Sequence, residues 1–105
     1  MHLTSYLQGR TLTVVLTGEI DHHCAKNYIQ AITAKIEAYT PQICILDFQE
    51  VVFMDSSGIA VVINALRNMA KIEGRLELVG LKQQPLKVFR ASGVDKLITI
   101  KEEVK

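Results

Sequence analysis

Two amphipathic segments on either side of a short apolar one constrain the fold of this chain more than any other feature. In residues 21–39 and again in residues 57–73, apolar side chains recur every three or four positions, which is typical of a helix with one buried face. Residues 43–48, between them, are nearly all apolar and indicate a strand buried on both faces. A helix, a strand and a second helix in succession predict an α/β fold.

Two shorter strands precede the first helix. Residues 3–7 alternate weakly between polar and apolar, and residues 11–17 are rich in β-branched side chains. The turn at residues 8–10 predicts that these strands form a hairpin. Gly18 is expected to end the second strand, and Asp21 is expected to cap the first helix.

Short elements also follow the central strand. Residues 49–55 are expected to form a loop, and residues 75–79 and 97–100 to form short strands. Between these strands, a small helix has Pro85 in its first turn and ends at Gly93. The order after the hairpin is α-β-α-β-α-β, which predicts one domain with a mixed sheet that is parallel after its first hairpin.

The composition excludes several classes of function. The net charge of +1 and the lack of tryptophan argue against a nucleic-acid partner. No apolar run approaches the roughly 18 residues of a membrane span, and no signal peptide is recognisable at the N-terminus. We therefore expect a cytoplasmic protein with no membrane partner, in which both cysteines are reduced.

Enzyme and metal sites are not expected either. The chain has no G-x-x-x-x-G-K-[ST], G-x-G-x-x-G or G-x-S-x-G sequence, so neither a nucleotide-binding loop nor a hydrolase elbow is predicted. His22, His23 and Cys24 are adjacent and cannot converge on one zinc ion without a fourth ligand. Cys24 could be a reactive thiol at a helix start, but a half-exposed filler is the simpler interpretation, and Cys44 is expected to be a small buried hydrophobe. We predict no cofactor.

A pair of carboxylates at the end of the second strand is the first candidate site. Glu19 and Asp21 flank Ile20, and the alternation of a strand would point both carboxylates to one side. The structural alternative, in which Asp21 caps the helix and Glu19 is a solvated charge, is about equally well supported.

The sequence Phe-Met-Asp-Ser-Ser-Gly at residues 53–58 is the second candidate site. Either Asp55 or Ser56 suffices to cap the helix that follows, so one of them is left over. Gly58 lies inside the first turn, where glycine costs about 0.8–1 kcal/mol relative to alanine. A backbone kept bare at this position indicates close approach by another molecule.

The stretches Leu-Thr-Gly-Glu-Ile-Asp-His-His at 16–23 and Phe-Met-Asp-Ser-Ser-Gly at 53–58, with Gly93 after the third helix, closely resemble the sporulation anti-sigma factor antagonists of the STAS domain family. The resemblance covers roughly residues 3 to 100. It implies a mixed sheet of four or five strands with helices mainly on one face.

The resemblance also implies a function. Ser56 is similar to a serine that is phosphorylated by the partner, an anti-sigma factor that is also an ATP-dependent serine kinase. The unphosphorylated antagonist binds this partner and frees the sigma factor, phosphorylation ends the interaction, and a serine phosphatase restores it. The partner-binding surface is implied to contain Glu19, Asp21, Asp55, Ser57 and Gly58.

A phosphate on Ser56 is expected to lie beside free N–H groups at the start of the second helix, where the helix dipole favours an anion. Two differences from the family pattern are a cysteine at position 24, often threonine in relatives, and an end of the sequence five residues after Ile100, which leaves little room for a final helix beyond the solvated tail at 101–105. The alternative function is a STAS interaction module of another system, such as a stressosome or a lipid-transport accessory, without this phosphoswitch.

Overall fold

The computed structural model describes residues 2–101, apart from the side chain of His2. In chain order the elements are β1 (His2–Gln8), β2 (Thr11–Ile20), α1 (Ala25–Tyr39), β3 (Ile43–Met54), α2 (Ser57–Lys71), β4 (Arg75–Val79), α3 (Gln83–Ser92), a 3-10 turn (Val94–Lys96) and β5 (Thr99–Lys101).

The strands form one mixed sheet in the order β1-β2-β3-β4-β5. β1 and β2 are an antiparallel hairpin around Gly9, whose φ of +60° suits a residue without a side chain, and the three later pairings are parallel. Each parallel pair is connected through a helix. Such connections are right-handed, and each one here leads to the next strand in the same direction across the sheet. The helices therefore lie on one face of the sheet.

The hydrophobic core lies between this face of the sheet and the helices. Alternate residues of the three central strands are buried there, and all three helices contribute side chains to the same cluster. On α3, Phe89 packs edge to face against Phe48 of β3, with ring centroids 5.7 Å apart. The predicted α/β fold with helices on one face is confirmed.

The other face of β3 is less buried than predicted. Cys44 and Leu46 face the helices and are fully buried, whereas Ile43 and Ile45 face away from them and are only partly buried. The prediction of a strand buried on both faces holds only in part: Asp47 is buried on the face away from the helices, but Ile43 and Ile45 are not, because the helices form a single layer.

A buried carboxylate joins the last two strands. Glu77 of β4 is only 5% exposed; it accepts a hydrogen bond from Arg75 Nε over 3.2 Å and forms an ion pair with Lys101 Nζ of β5, also over 3.2 Å. The tail predicted at 101–105 therefore begins one residue too early, since Lys101 belongs to β5. Residues 102–105 lie outside the described residues, and so does the prediction about a final helix.

The predicted ends of the second and third strands are wrong. β2 continues past Gly18 to Ile20, and β3 continues to Met54, so most of the predicted loop at 49–55 is strand. Residues 50–54 pair with residues 17–20 of β2. The two strands stay paired beyond Gly18, whose φ is +93°, because a register shift directly after this residue accommodates its backbone conformation.

Helix α1 starts later than predicted. Residues 21–24 form a turn, and the helix begins at Ala25. The Asp21 carboxylate accepts from the backbone N–H of His23 over 3.0 Å and of Cys24 over 3.2 Å. Asp21 thus caps the turn that leads into the helix.

None of the helices within residues 2–101 is long and apolar enough to span a membrane.

Candidate functional site

The two candidate segments meet at the carboxyl ends of β2 and β3. The strands are parallel and adjacent, and Ile20 pairs with Met54 at their ends. Immediately beyond, the Asp55 N–H donates to the Ile20 carbonyl over 3.0 Å. The fold therefore brings the segment after Ile20 next to the segment after Met54, although they are more than thirty positions apart in the chain.

Asp55, rather than Ser56, satisfies the start of α2. The Asp55 carboxylate accepts from the Ser57 N–H over 2.7 Å, and the Asp55 carbonyl accepts from the Gly58 N–H over 3.1 Å. Ser56 has a helical backbone with φ −63° and ψ −15°, and its side chain makes no capping hydrogen bond. Of the two candidate capping residues, Ser56 is therefore the one without a capping role, and its hydroxyl is exposed.

The expectation that a phosphate on Ser56 would lie beside free N–H groups is wrong. The N–H groups of Ser57 and Gly58 are bonded to Asp55, and the N–H of Ile59 donates to the Ser56 carbonyl over 3.1 Å. A phosphate at Ser56 would instead stand beside the Asp55 carboxylate and compete with it for the end of the helix.

Gly58 has a reason within the protein for lacking a side chain. It is buried, and a Cβ atom there would overlap Sδ and Cγ of Met54, whose side chain is fully buried. The close approach inferred from the sequence is thus made by the end of β3. The additional contact of Gly58 with a partner stays a prediction.

Gln84 of α3 holds the end of β3 from the side opposite to β2. The Met54 N–H donates to Gln84 Oε1 over 2.8 Å, and Gln84 Nε2 donates to the Met54 carbonyl over 2.8 Å. Gln84 was not among the site residues predicted from the sequence. No local pattern could have found it, because the two partners are thirty positions apart.

The Glu19–Asp21 segment is joined to α1 through Cys24. The Cys24 Sγ lies 3.3 Å from the Glu19 carbonyl oxygen and 3.3 Å from Asp21 Oδ1, within donating distance of both. The bond from this thiol, together with the backbone N–H bonds and the nearby His23, lowers the pKa of Asp21. The Cys24 thiol therefore ties the turn to the end of β2, although the Cys24 side chain makes no capping hydrogen bond to α1.

The two carboxylates of this segment differ in their surroundings. Asp21 is partly exposed and bonded to the turn, whereas Glu19 is exposed and its side chain has no hydrogen bond or ion pair within residues 2–101. Asp21 was predicted to cap the helix itself, but it caps the turn before the helix, whose N-cap position is Cys24. Glu19 is available to bind another molecule.

Two exposed apolar side chains beside this site were also missed. Val52 is 59% exposed and Phe53 is 44% exposed, and Phe53 pairs with Glu19 across the two strands. Val52 and Phe53 were predicted to lie in a loop, because the consecutive polar residues Gln49 and Glu50 interrupt the alternation expected of a strand. Their exposure beside Ser56 adds apolar area to a surface that is otherwise acidic.

The other candidate groups lie apart from Ser56 or have no ligand geometry. The exposed rings of His22 and His23 have centroids 4.0 Å apart, and no group of three or more histidine, cysteine, aspartate or glutamate side chains in residues 2–101 is arranged to hold a metal ion. Burial raises the pKa of Cys44 to about 12. Cys44 is a core residue, as predicted.

The fold and the site together define a small α/β domain whose candidate site is an exposed surface at the ends of two parallel strands. Residues 2–105 match the family described as the STAS domain, and the chain belongs to this family.

Two relatives are regulators of sigma factors by name. The anti-sigma F factor antagonist of Lysinibacillus sphaericus is 33% identical over 84 residues, which are 80% of this chain and 72% of the relative. The anti-sigma-B factor antagonist of Listeria monocytogenes is 28% identical over 93 residues, which are 86% of this chain and 78% of the relative.

The solved structures of the anti-sigma factor antagonist SpoIIAA are also similar. Its unphosphorylated form has a TM-score of 0.82 at 28% identity and covers 97% of this chain and 90% of its own. Its phosphorylated form, from Bacillus, has a TM-score of 0.73 at 28% identity and covers 97% of this chain and 93% of its own. SpoIIAA therefore exists in two phosphorylation states with this fold.

Proposed function

We propose that the chain acts as one STAS domain over residues 1–105 and is an anti-sigma factor antagonist of the sporulation type, working in the cytoplasm. Its unphosphorylated form binds an anti-sigma factor that is also a serine kinase, and this binding releases the sigma factor. Phosphorylation of Ser56 by the same partner ends the interaction, and a serine phosphatase reverses it. The protein is thus a kinase substrate and not an enzyme.

The observation that carries this proposal is the free hydroxyl of Ser56. Asp55 already supplies the cap of α2, and the exposed Ser56 side chain makes no hydrogen bond to residues 2–101 that modification would break. The adjacent Ser57 is only partly exposed, which favours Ser56 as the acceptor. The relatives that carry the antagonist name, and the two states of SpoIIAA, support the same function.

The proposed partner surface surrounds Ser56. Glu19, Asp21 and Asp55 supply carboxylates at the ends of β2 and β3, and Phe53, which pairs with Glu19, supplies exposed apolar area. Ser57 and Gly58, in the first turn of α2, complete the predicted surface. A partner that fits it presents an apolar patch toward Phe53 and packs closely against the first turn of α2, where it leaves neither space nor positive charge for a phosphate on Ser56.

Phosphorylation would act on this surface through charge and bulk. A phosphoserine adds about −1.5 to −2 charges at neutral pH. Since Asp55 occupies the N–H groups that a phosphate would use, the added charge is not neutralised by the helix and is felt by the partner. Binding of the phosphorylated form is weakened because its bulk lies between the two proteins.

The proposal is tested by incubating the protein with a cognate anti-sigma kinase and ATP, followed by mass spectrometric mapping of the phosphate. We expect one phosphate, on Ser56, and no labelling of Ser56→Ala. Ser57→Ala is the matched control and should be labelled like the wild type. Labelling of Ser56→Ala, or labelling that is lost only in Ser57→Ala, would show that the wrong serine was chosen.

Binding is measured separately from labelling. Ser56→Ala should bind the anti-sigma factor with the affinity of the wild type, whereas Ser56→Asp should bind at least tenfold more weakly while unfolding at a similar temperature. An unlabelled wild type that also fails to bind the anti-sigma factor would instead favour a STAS interaction module of another system.

A further inference from the structure

The end of β3 extends beyond the strand that should cover its outer edge. Pairing of β3 with β4 stops at Asp47 and Val79, whereas β3 continues to Met54. At Met54 the carboxamide of Gln84 accepts from the backbone N–H and donates to the backbone carbonyl, each over 2.8 Å. In an antiparallel pair, a single residue of the neighbouring strand makes these same two hydrogen bonds.

The last residues before Ser56 are consequently held on both edges. On the inner edge Ile20 pairs with Met54, and the Ile20 carbonyl accepts from the Asp55 N–H. On the outer edge Gln84 takes the place of β4. Below, the Met54 side chain packs against Gly58 in the first turn of α2.

We propose that Gln84 is a positioning residue for phosphorylation of Ser56. It fixes the backbone of Met54, which leads into the turn that carries the acceptor hydroxyl. Because the Met54 side chain also packs against the helix that follows this turn, Gln84 fixes the turn at both of its ends. This inference rests on the proposed function, because it assigns a role to α3 in the kinase reaction at Ser56. Gln84 is on a helix anchored by buried Pro85 and Phe89, so the clamp is attached to the core.

The physical reason is the geometric demand of phosphoryl transfer. A kinase must hold the acceptor oxygen in line with the γ-phosphate, and an error of about 1 Å in position can reduce the rate about a hundredfold. Without Gln84, the N–H and the carbonyl on the outer edge of Met54 lose their partners, and the turn can leave the conformation that the kinase accepts. A loss is therefore expected in the rate of transfer to Ser56, beyond the loss of stability that follows from two unpaired buried groups.

Gln84→Met removes both hydrogen bonds with little change in volume, and Gln84→Glu retains an acceptor for the Met54 N–H but places a carboxylate against the Met54 carbonyl. Gln83→Ala is the matched control, since Gln83 is an exposed glutamine on the same helical turn. Thermal unfolding of each variant checks that the domain folds.

Two measurements test the proposal. Exchange of the Met54 and Asp55 amides, followed by NMR, should speed up about tenfold in Gln84→Met, less in Gln84→Glu and not in Gln83→Ala. The kcat/KM for phosphorylation of Ser56 should fall about tenfold in Gln84→Met, the change expected when one to two ordinary hydrogen bonds are lost, and should be unchanged in Gln83→Ala.

The outcomes separate this inference from the proposed function. If the wild type is labelled on Ser56 and Gln84→Met is labelled equally fast, Gln84 does not position the acceptor. If only the unfolding temperature changes, its role is structural and the inference is wrong. If the wild type is not labelled at all, the proposed function fails and this role for Gln84 fails with it, while the amide exchange still decides whether Gln84 holds the strand.

Discussion

The Met54 side chain fills the space in which Gly58 would carry a Cβ atom. Both residues are buried, one at the end of β3 and the other in the first turn of α2. The strand and the helix therefore approach each other closely at the turn that carries Ser56. This contact fixes the position of the helix start relative to the sheet.

Gly58→Ala should destabilise the domain. A methyl group at this position overlaps Met54, and overpacking of a core costs about 1–3 kcal/mol. The better helix propensity of alanine returns about 1 kcal/mol, so we expect a net loss of about 1 kcal/mol in the free energy of unfolding. Urea unfolding measures this change.

Met54→Ala is the matching variant, since it removes the side chain that Gly58→Ala would meet. Alone it should cost about 2–5 kcal/mol, as usual for a large buried side chain. Combined with Gly58→Ala, the cost should be smaller than the sum of the two single costs, because the added methyl group enters the space that was vacated. Additive costs would mean that the two residues do not compete for this space.

The order of helices and strands could be predicted from periodicity, whereas the length of β3 could not. Residues 57–71 bury one face of a helix, which leaves a clear spacing in the sequence. The extension of β3 bears the exposed residues Gln49, Glu50, Val52 and Phe53, and two register shifts interrupt its alternation. The extension is a strand because its backbone pairs with β2. These backbone hydrogen bonds form whichever side chains are present, so they leave no pattern in this part of the sequence.

Parts of the candidate site were also predictable. Residues that follow two adjacent parallel strands meet at one edge of the sheet, so Asp21 and Asp55 could be placed together once β2 and β3 were paired. Which of Asp55 and Ser56 caps α2 could not be decided, because both residue types are good caps. The contribution of Gln84 depends on the docking of α3, which local sequence does not determine.

The pKa of Asp21 should depend on the side chain at position 24. Because the hydrogen bond from the Cys24 thiol is the largest cause of its lowering, Cys24→Ala should move the pKa of Asp21 toward the ordinary value of 3.8. Cys24→Ser keeps a donor and should leave the pKa low. NMR titration of the carboxyl group measures both, and an unchanged pKa in Cys24→Ala would contradict the assignment.

The hydrogen bond from the Cys24 thiol to Asp21 also affects the stability of the folded protein, in a direction that follows from the pKa shift. The pKa of Asp21 is lower in the folded protein than in the unfolded chain, so the ionised carboxylate favours folding. This contribution is complete above pH 3.8 and is lost as the pH falls through the lowered pKa. Cys24→Ala should therefore be less stable than Cys24→Ser above pH 3.8, and the two variants should become equally stable as the pH falls below the lowered pKa.

The two cysteines should differ in reactivity. Burial raises the pKa of Cys44 to about 12, so almost no thiolate is present there at pH 8, whereas the Cys24 thiol is partly exposed. Iodoacetamide should therefore modify one thiol of the folded protein, on Cys24, and two after denaturation. Peptide mapping identifies the modified residue. Equal labelling of Cys44 in the folded protein would show that the core opens readily near β3.

The carboxylate of Glu77 should tolerate the loss of one cation but not of both. Its two partners, Arg75 and Lys101, have side chains that are 62% and 55% exposed, whereas the Glu77 side chain is 7% exposed. Exposed ion pairs contribute about 0–1 kcal/mol each, so Arg75→Ala or Lys101→Ala alone should reduce stability by less than about 1 kcal/mol.

The double variant leaves a buried carboxylate without a cation, and an uncompensated buried charge costs about 3–5 kcal/mol. The combined loss should therefore exceed the sum of the single losses, which urea unfolding can resolve. Adding Glu77→Gln to the double variant should recover part of the stability, since it removes the unpaired charge while keeping the shape of the side chain. Strictly additive losses without this recovery would mean that water already solvates the carboxylate, and that the two ion pairs do not hold β5 against β4.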